Sequence, residues 1–358
     1  MPLTFKVQKV DLMEGFKVAA KVVGRSAKKA DATVELKEEN GKVVLRAAHP
    51  GLSYLRWTIC GTGTVPFQRL IVPLDMLRGV VERMPKEDIS ITTDPKNPNK
   101  LKVKSGSRSG TITAVDGRIS AAEIDNGVKI TYEGVMKDLS PSIKIFDKVS
   151  LGGFNTWGCV CAAQNGTGYA TDEGNLYAAP FPIMEKSDRD VMIPTQFLIP
   201  VTLLHGDVAV RLTEDEVEFS QEGWAFVLSL NYVQAPNYKR VLDRFKKSKM
   251  VPIDMDPLTK EVKDFRKACK DGSLIVSVVD GTLKVRAARD AAIAYQSERA
   301  IKESPDFEFT VIPENYLKVG PNFKSDVSIA KADGSHIYLE SGGCCGIVSC
   351  HAGTIKFG

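Results

Sequence analysis

Apolar residues recur along this chain at two spacings, every second position and every third or fourth, and the two spacings succeed each other in the same order three times. Alternation at period two marks a half-buried strand, and a 3.6-residue period marks one face of a helix. ATVELKEENGKVVLRAAHP around Gly41, CVCAAQNGTGYATDE around Gly166 and LIVSVVDGTLKVRAARD around Gly281 each read as strand, glycine-containing turn, strand and a short exit of alanine and polar residues. Downstream of each, a short β-branched strand runs into a proline and a helical stretch: LIVPLDMLRGVVERM at Pro73, VMIPTQFLIPVTLLHG at Pro194 and TVIPENYLKVG at Pro313. A hairpin pattern follows every time, in DISITTDPKNPNKLKVKS, DVAVRLTEDEVEFSQ and DVSIAKADGSHIYLES. A last strand closes each unit: GTITAV, AFVLSLNYV or GIVSCHA.

The three prolines recur at about 120 residues, a domain-sized period rather than a solenoid one. One strand-proline-helix junction is commonplace, because proline suits the first helical turn. Three in register with matching hairpins point to three copies of one α+β domain, over residues 1–125, 126–245 and 246–358, each with two helices and mostly antiparallel strands.

Each third also opens with an amphipathic helix. In DPLTKEVKDFRKACKDG, Asp256 reads as the N-cap, Pro257 as the first helical residue and Gly272 as the stop. Leu258, Val262, Phe265 and Cys269 fall on one stripe and Lys260, Lys263, Lys267 and Lys270 on the opposite one, with Arg266 on the same helix. In DLMEGFKVAAKVVGR the stripe is Leu12, Phe16 and Val23; Lys17, Lys21 and Arg25 lie outside it, and Lys28 and Lys29 follow. SPSIKIFDKVSLGG starts at Ser140 and Pro141 and carries Lys144 and Lys148 one turn apart; an earlier start would add Lys137.

The net charge is only +4, so the location of the lysines matters more than their number. Lysines on a single helix are most often just a solvated face. Three equivalent helices aimed at one axis would form a positive channel that touches phosphates without reading bases, while Glu82, Glu214 and Asp215 fall on other elements. No aromatic-interleaved basic stretch, helix-turn-helix or zinc-finger pattern is present. With 358 residues, 43% hydrophobic and 26% charged, the composition is that of a folded globular chain. MPLTFKVQKV lacks the apolar core of a leader, and no run nears the roughly 18 apolar residues of a membrane span, so the expectation is a soluble, cytoplasmic protein.

Of the seven cysteines, Cys159, Cys161 and Cys345 lie in strand-like apolar runs and are expected to be reduced and buried. The four histidines, His49, His205, His336 and His351, sit in no catalytic motif. The run SGGCCGIVSCHAG, with Cys344, Cys345, Cys350 and His351, offers the one enzymatic alternative, a thiol or metal site. Its spacing is not the paired C-x-x-C of structural zinc. No catalytic residue, metal or cofactor is assigned.

Three runs resemble a known family. LIVPLDMLRGVVERMP with KLKVKSGSRSGTI is similar to the first-domain strand, helix and S-G-R-S strand of the bacterial DNA polymerase III beta subunit, the sliding clamp, in a cellular or phage-encoded form. YATDEGNLYAAP resembles its T-D-G-H-R-L-A segment, and LNYVQAPNYKRVLDR its F-P-D-Y-R-R-V-L segment. The resemblance implies a non-enzymatic head-to-tail homodimer of six domains around double-stranded DNA, serving a DNA polymerase and a clamp loader and needing no membrane. It places Arg25 at a DNA contact and implies a partner-peptide cleft at Thr171, Gly174, Asn175, Leu176, Pro236, Arg240 and Val241, with Tyr238 adjacent. Asn175 stands where the family run carries a basic residue, and GTIKFG where the family has a Met-Pro-rich tail, which implies an altered peptide preference. A structural phage ring built from the same domains is the remaining alternative.

Overall fold

The computed structural model describes residues 3–357 apart from 24–31, 50–52, 118, 120–131, 138–139, 152–154, 182–189, 204–206, 231–235, 246–248, 289–290, 302–305 and 325. The element order repeats three times. The first pass runs β1 (Phe5–Gln8), α1 (Lys9–Val23), β2 (Thr33–Glu39), β3 (Lys42–His49), β4 (Ser53–Ile59), β5 (Gly61–Gly63), β6 (Arg69–Pro73), α2 (Leu74–Glu82), β7 (Asp88–Asp94), β8 (Asn97–Ser105) and β9 (Arg108–Thr113). The second is β10 (Tyr132–Lys137), α3 (Ser140–Val149), β11 (Cys159–Ala162), β12 (Thr167–Thr171), β13 (Leu176–Pro180), β14 (Val191–Pro194), α4 (Thr195–Leu198), β15 (Asp207–Leu212), β16 (Glu216–Gln221) and β17 (Trp224–Ser229). After α5 (Tyr238–Phe245) the third follows as β18 (Val251–Ile253), α6 (Met255–Ala268), β19 (Leu274–Val279), β20 (Thr282–Ala287), β21 (Gln296–Ala300), β22 (Phe307–Val311), α7 (Pro313–Val319), β23 (Val327–Lys331), β24 (His336–Ser341), β25 (Cys344–Ser349) and β26 (Lys356–Phe357).

Local chemistry accounts for most boundaries. Asn40 and Gly41, and again Asp280 and Gly281, all take positive φ, the two-residue turn that suits the twist of a hairpin. The helix after Pro194 is a single turn that passes into a 3-10 segment at Ile199–Leu203, because Pro200 has no N–H to continue it. Two expectations need correction: α6 starts at Met255, not Pro257, with Asp254 as N-cap, whose carboxylate accepts from the N–H of Asp256, and it ends at Ala268 with Cys269 as C-cap, short of Gly272. Asp254 and Asp256 both suit a cap, and proline is tolerated anywhere in the first turn. Lys137 lies in β10, so α3 does start at Ser140.

The chain divides into two compact units, Met1–Asp138 with Phe197–Leu230 and Leu139–Gln196 with Asn231–Gly358. The first holds a five-stranded sheet, β5-β1-β7-β8-β9, and an eight-stranded one, β10-β15-β16-β17-β4-β3-β2-β6. The second holds β14-β11-β12-β13-β25-β24-β23-β18 and the five-stranded β21-β20-β19-β22-β26. Every strand pairing among the described residues is antiparallel.

Each eight-stranded sheet is completed by strands from two passes. In the first unit β17 joins β4, with Phe226 opposite Leu55 and Trp224 opposite Trp57. The two indoles stack at 6.4 Å and 14°. Gly15 of α1 lets the helix approach this seam, since a Cβ there would sit 3.1 Å from the Trp57 ring. In the second unit β25 joins β13, with Gly346 opposite Tyr177. Tyr177 meets Phe146 of α3 and Phe323 edge to ring at this seam. A Cβ on Gly346 would lie 2.5 Å from Val319 Cγ1 and 3.0 Å from the Phe323 ring. Gly346→Ala is therefore expected to destabilise the second unit by about 1–3 kcal/mol through overpacking, read as a lower midpoint in urea with unchanged slope.

Candidate nucleic-acid interface and peptide cleft

The three opening helices bury their apolar stripes and expose their lysines. On α1, Leu12, Phe16 and Val23 are buried, and Lys17 and Lys21 face solvent. Arg25, Lys28 and Lys29 lie outside the described residues. On α3, Ile143, Phe146 and Val149 are buried, and Lys144 and Lys148 are exposed. On α6, Leu258, Val262 and Phe265 are buried, and Lys260, Lys263 and Lys267 are exposed, as is Lys270 just beyond its end. Arg266 is half-buried and donates to Glu314 of α7, and Lys267 lies 3.1 Å from Asp264.

The one acid on the core side of α6 is removed from this surface. Glu261, 3% exposed, accepts from Tyr295 Oη at 2.7 Å and from the Arg299 guanidinium of β21. Burial raises its pKa, but the hydrogen bonds from Tyr295, Ser297 and Arg299 and the arginine charge outweigh that and hold the carboxyl below its ordinary value. The acid thus pins the strand behind the helix while the lysines keep the open face.

In the second unit α7 packs between α3 and α6. An open depression of about 430 Å³ there is lined by Lys148 of α3 and by Glu314, Asn315, Leu317 and Lys318 of α7. Lys318 thereby lines the same depression as Lys148. No periodic signal singles it out, since its ion-pair partner, Asp172, stands 146 residues away.

The residues expected in the peptide cleft fall into two groups. Thr171, Gly174 and Asn175 belong to a tight turn between β12 and β13, in which Glu173 takes a φ of +75°. Asp172 organises it, accepting the backbone N–H of Gly174 at 3.2 Å and of Asn175 at 2.7 Å, the Asn175 side-chain amide at 3.1 Å, and Lys318. Asn175 is 2% exposed, and its Oδ1 accepts from the Ser349 N–H of β25 at 3.1 Å. The side chain that replaces the family's basic residue is therefore spent on holding the turn to β25. Thr171 Oγ1 likewise donates to the Asn175 carbonyl at 2.6 Å.

The second group is apolar. Leu176, Tyr238 and Leu242 are buried in one cluster with Tyr169, Met192 and Ile347, and Tyr238 stacks on Tyr169 at 5.4 Å. Asn237 caps α5 through the Arg240 N–H at 2.9 Å, which turns Tyr238 and Leu242 inward and leaves Arg240 and Val241 exposed. Pro236, just before the cap, is half-buried. Tyr238, expected beside the cleft residues, is buried in this cluster with Leu176.

The first part of the cysteine-histidine run is β25, with Cys350 and His351 just past its end. Cys345 is buried in β25, and burial pushes the Cys350 thiol up to about 12, where it stays protonated and is a poor nucleophile. His351 Nε2 is 2.7 Å from Ser273 Oγ. Cys159 and Cys161 are buried as expected, and Cys60 is exposed. Among the described residues no group of three His, Cys, Asp or Glu side chains could hold a metal ion, and no helix is long and apolar enough to cross a membrane.

No family model and no curated protein matches the sequence. Solved structures do. The DNA polymerase III beta subunit of Thermotoga maritima superposes with a TM-score of 0.77 at 16% identity, over 98% of this chain and 99% of that one. A sliding clamp from Pseudomonas aeruginosa bound to griselimycin gives 0.77 at 16%, over 98% and 100%. The Caulobacter crescentus sliding clamp gives 0.76 at 15%, over 98% and 99%. The fold is that of these clamps along the full length of the chain.

Proposed function

We propose that this chain is a DNA sliding clamp, a non-enzymatic tether made of three clamp domains over residues 1–125, 126–245 and 246–358, two copies of which close head to tail around duplex DNA. The observation that carries the reading is the pattern of seams. Twice, the strand that follows the second hairpin of one pass joins the first half of the pass before it, β17 to β4 and β25 to β13. The equivalent strands with no partner on that side are β9 and β21, at the ends of the two five-stranded sheets. A second copy would supply β21 to β9 and take β9 on β21, a heterologous contact that closes on itself after two chains. Unpaired edges of this kind otherwise invite uncontrolled association.

The two kinds of seam differ in chemistry. The internal ones bury Leu55 on Phe226 and Tyr177 on Phe323, whereas the free edges offer Ser297 and Arg299 on β21, with Tyr295 just before it, and Arg108 and Gly110 on β9. A polar closure suits a ring that a clamp loader must open. Once closed, lysines of α1, α3 and α6 meet phosphates of double-stranded DNA without reading sequence, and contacts of that kind let a protein slide. The cleft beside Leu176, Tyr238 and Val241 takes a hydrophobic peptide of the DNA polymerase. With Asn175 committed to its turn, exposed Arg240 offers a cation at the cleft for an acidic residue of that peptide.

Light scattering followed by electron microscopy of the same sample tests the reading. The expected result is a homodimer that images as a six-lobed ring with a central hole. A monomer, or a compact dimer without a hole, would remove the reason to place these lysines around DNA.

A further inference from the structure

The five-stranded sheet of the first unit has a second surface that the ring does not use. Its inner face carries Phe5, Val7, Ile89, Ile91, Leu101, Val103 and Ile112, all buried, and α2 covers that side, with Val80 against Gly110. Alternation puts the intervening residues on the opposite face. Strand register arranges them in rows: Thr62, Lys6, Ser90, Lys104 and Ser109 across all five strands, then Thr92, Lys102 and Thr111, then Lys100 beside Thr113. Every residue in these rows is lysine, serine or threonine, and Lys6, Lys102 and Lys104 are exposed. Carboxylates enter only at the two ends of β7, where Asp88 accepts from Gln8 Nε2 and Asp94 from the Lys96 N–H.

The other sheets treat their charges differently. The neighbouring eight-stranded sheet pairs Arg46 with Glu35 and Glu39, Arg56 with Glu39, and Arg211 with Glu218. The five-stranded sheet of the second unit pairs Lys284 with Glu298 and Lys356 with Glu308. Four lysines on one flat face with no ion pair among the described residues repel each other, so their placement costs stability unless a polyanion covers them.

We infer that this face is a second nucleic-acid surface, which holds the sugar-phosphate backbone of duplex DNA outside the site lined by the helices. Lysine ammoniums and serine and threonine hydroxyls are phosphate donors and read no bases. The face has no exposed aromatic ring on which unpaired bases could stack, which disfavours single strands. Nor does it carry the buried aromatic or arginine anchors that a protein partner uses. Lys6 and Lys104 stand two strands apart, about 10 Å, and Lys100 and Lys104 four residues apart, about 13 Å, a two-dimensional patch on the scale of duplex grooves.

Covalently closed circular plasmid with no clamp loader present is the test substrate, since it cannot thread a closed ring. Binding by the full-length protein is measured between 50 and 200 mM salt, as order-of-magnitude limits set by counterion release. The variant Lys6→Thr/Lys100→Thr/Lys102→Thr/Lys104→Thr keeps the strand propensity of its neighbours. Its salt dependence is expected to be shallower by about 3 to 4 in log-log slope, one phosphate per lysine. Wild-type protein provides a second readout free of folding effects: plasmid should protect Lys6, Lys102 and Lys104 from acetylation. An unchanged slope with no protection overturns the inference. So does protection confined to Lys263 and Lys267, which would assign binding to the helices, or competition by polyglutamate or anionic vesicles as strong as that by DNA.

Discussion

Lys263→Glu/Lys267→Glu/Lys270→Glu is expected to bind a short duplex on the order of 100-fold more weakly at 0.15 M salt, with a log-log salt slope shallower by about 2.7. The three lysines lie on the solvent side of α6 and at its end, and the apolar stripe under them is buried, so reversal should leave the fold intact. It also changes the balance of what remains. Asp264 loses Lys267, and Arg266 stays engaged with Glu314, so the helix would present acids to the backbone it now attracts. Fluorescence anisotropy across a salt series reads both numbers, and light scattering checks that the oligomer survives. If affinity and slope stay as in the wild type, DNA does not run along α6, and the clamp reading loses its mechanism.

Glu261→Ala is expected to weaken the proposed homodimer by about 10- to 100-fold. Truncating one partner of a buried ion pair costs about 3–5 kcal/mol, and Arg299, 41% exposed, brings that down to roughly 1.5–3. The damage falls on β21, because Tyr295, Ser297 and Arg299 all lean on this one carboxylate. The sign of the pH effect follows from the depressed pKa. Stabilisation by Glu261 is fully present above the unfolded carboxylate value, about 4.3, and is lost as pH falls through the lower folded value. Wild-type dimer should therefore hold at pH 7 and loosen on the acid side of that value, and Glu261→Gln should already be loosened at pH 7 and respond less. Sedimentation velocity over a dilution series at both pH values decides it. A Glu261→Ala dimer as tight as wild type would take β21 out of the interface.

Features written into adjacent residues were legible before the structure. The Asn40–Gly41 and Asp280–Gly281 turns, the strand-proline-helix junctions and the buried stripe of Leu258, Val262 and Phe265 follow from backbone preference and helical period. What escaped depends on distant partners. Asn175 reads as a cleft residue until Ser349 of β25 and Asp172 claim its amide. Lys318 reads as an ordinary helix-end lysine until Asp172 and Lys148 stand beside it. The alternating lysines of KLKVKS are visible in the chain, but whether the facing strands neutralise them is set by register. Helix α5 was hidden because Tyr238 and Leu242 form too short a stripe to register as a period.

The β17–β4 seam also sets a timetable for synthesis. The edge of β4 emerges from the ribosome about 170 residues before the strand that covers it, which at roughly 5–20 residues per second is a wait of roughly 8–35 s. β13 waits about as long for β25. Throughout that interval SYLRWTI, rich in aromatic and β-branched residues, has its backbone donors and acceptors open to any other nascent strand. Yield in the cell should thus depend less on the stability of the finished protein than on translation speed and on chaperones that shield a growing chain.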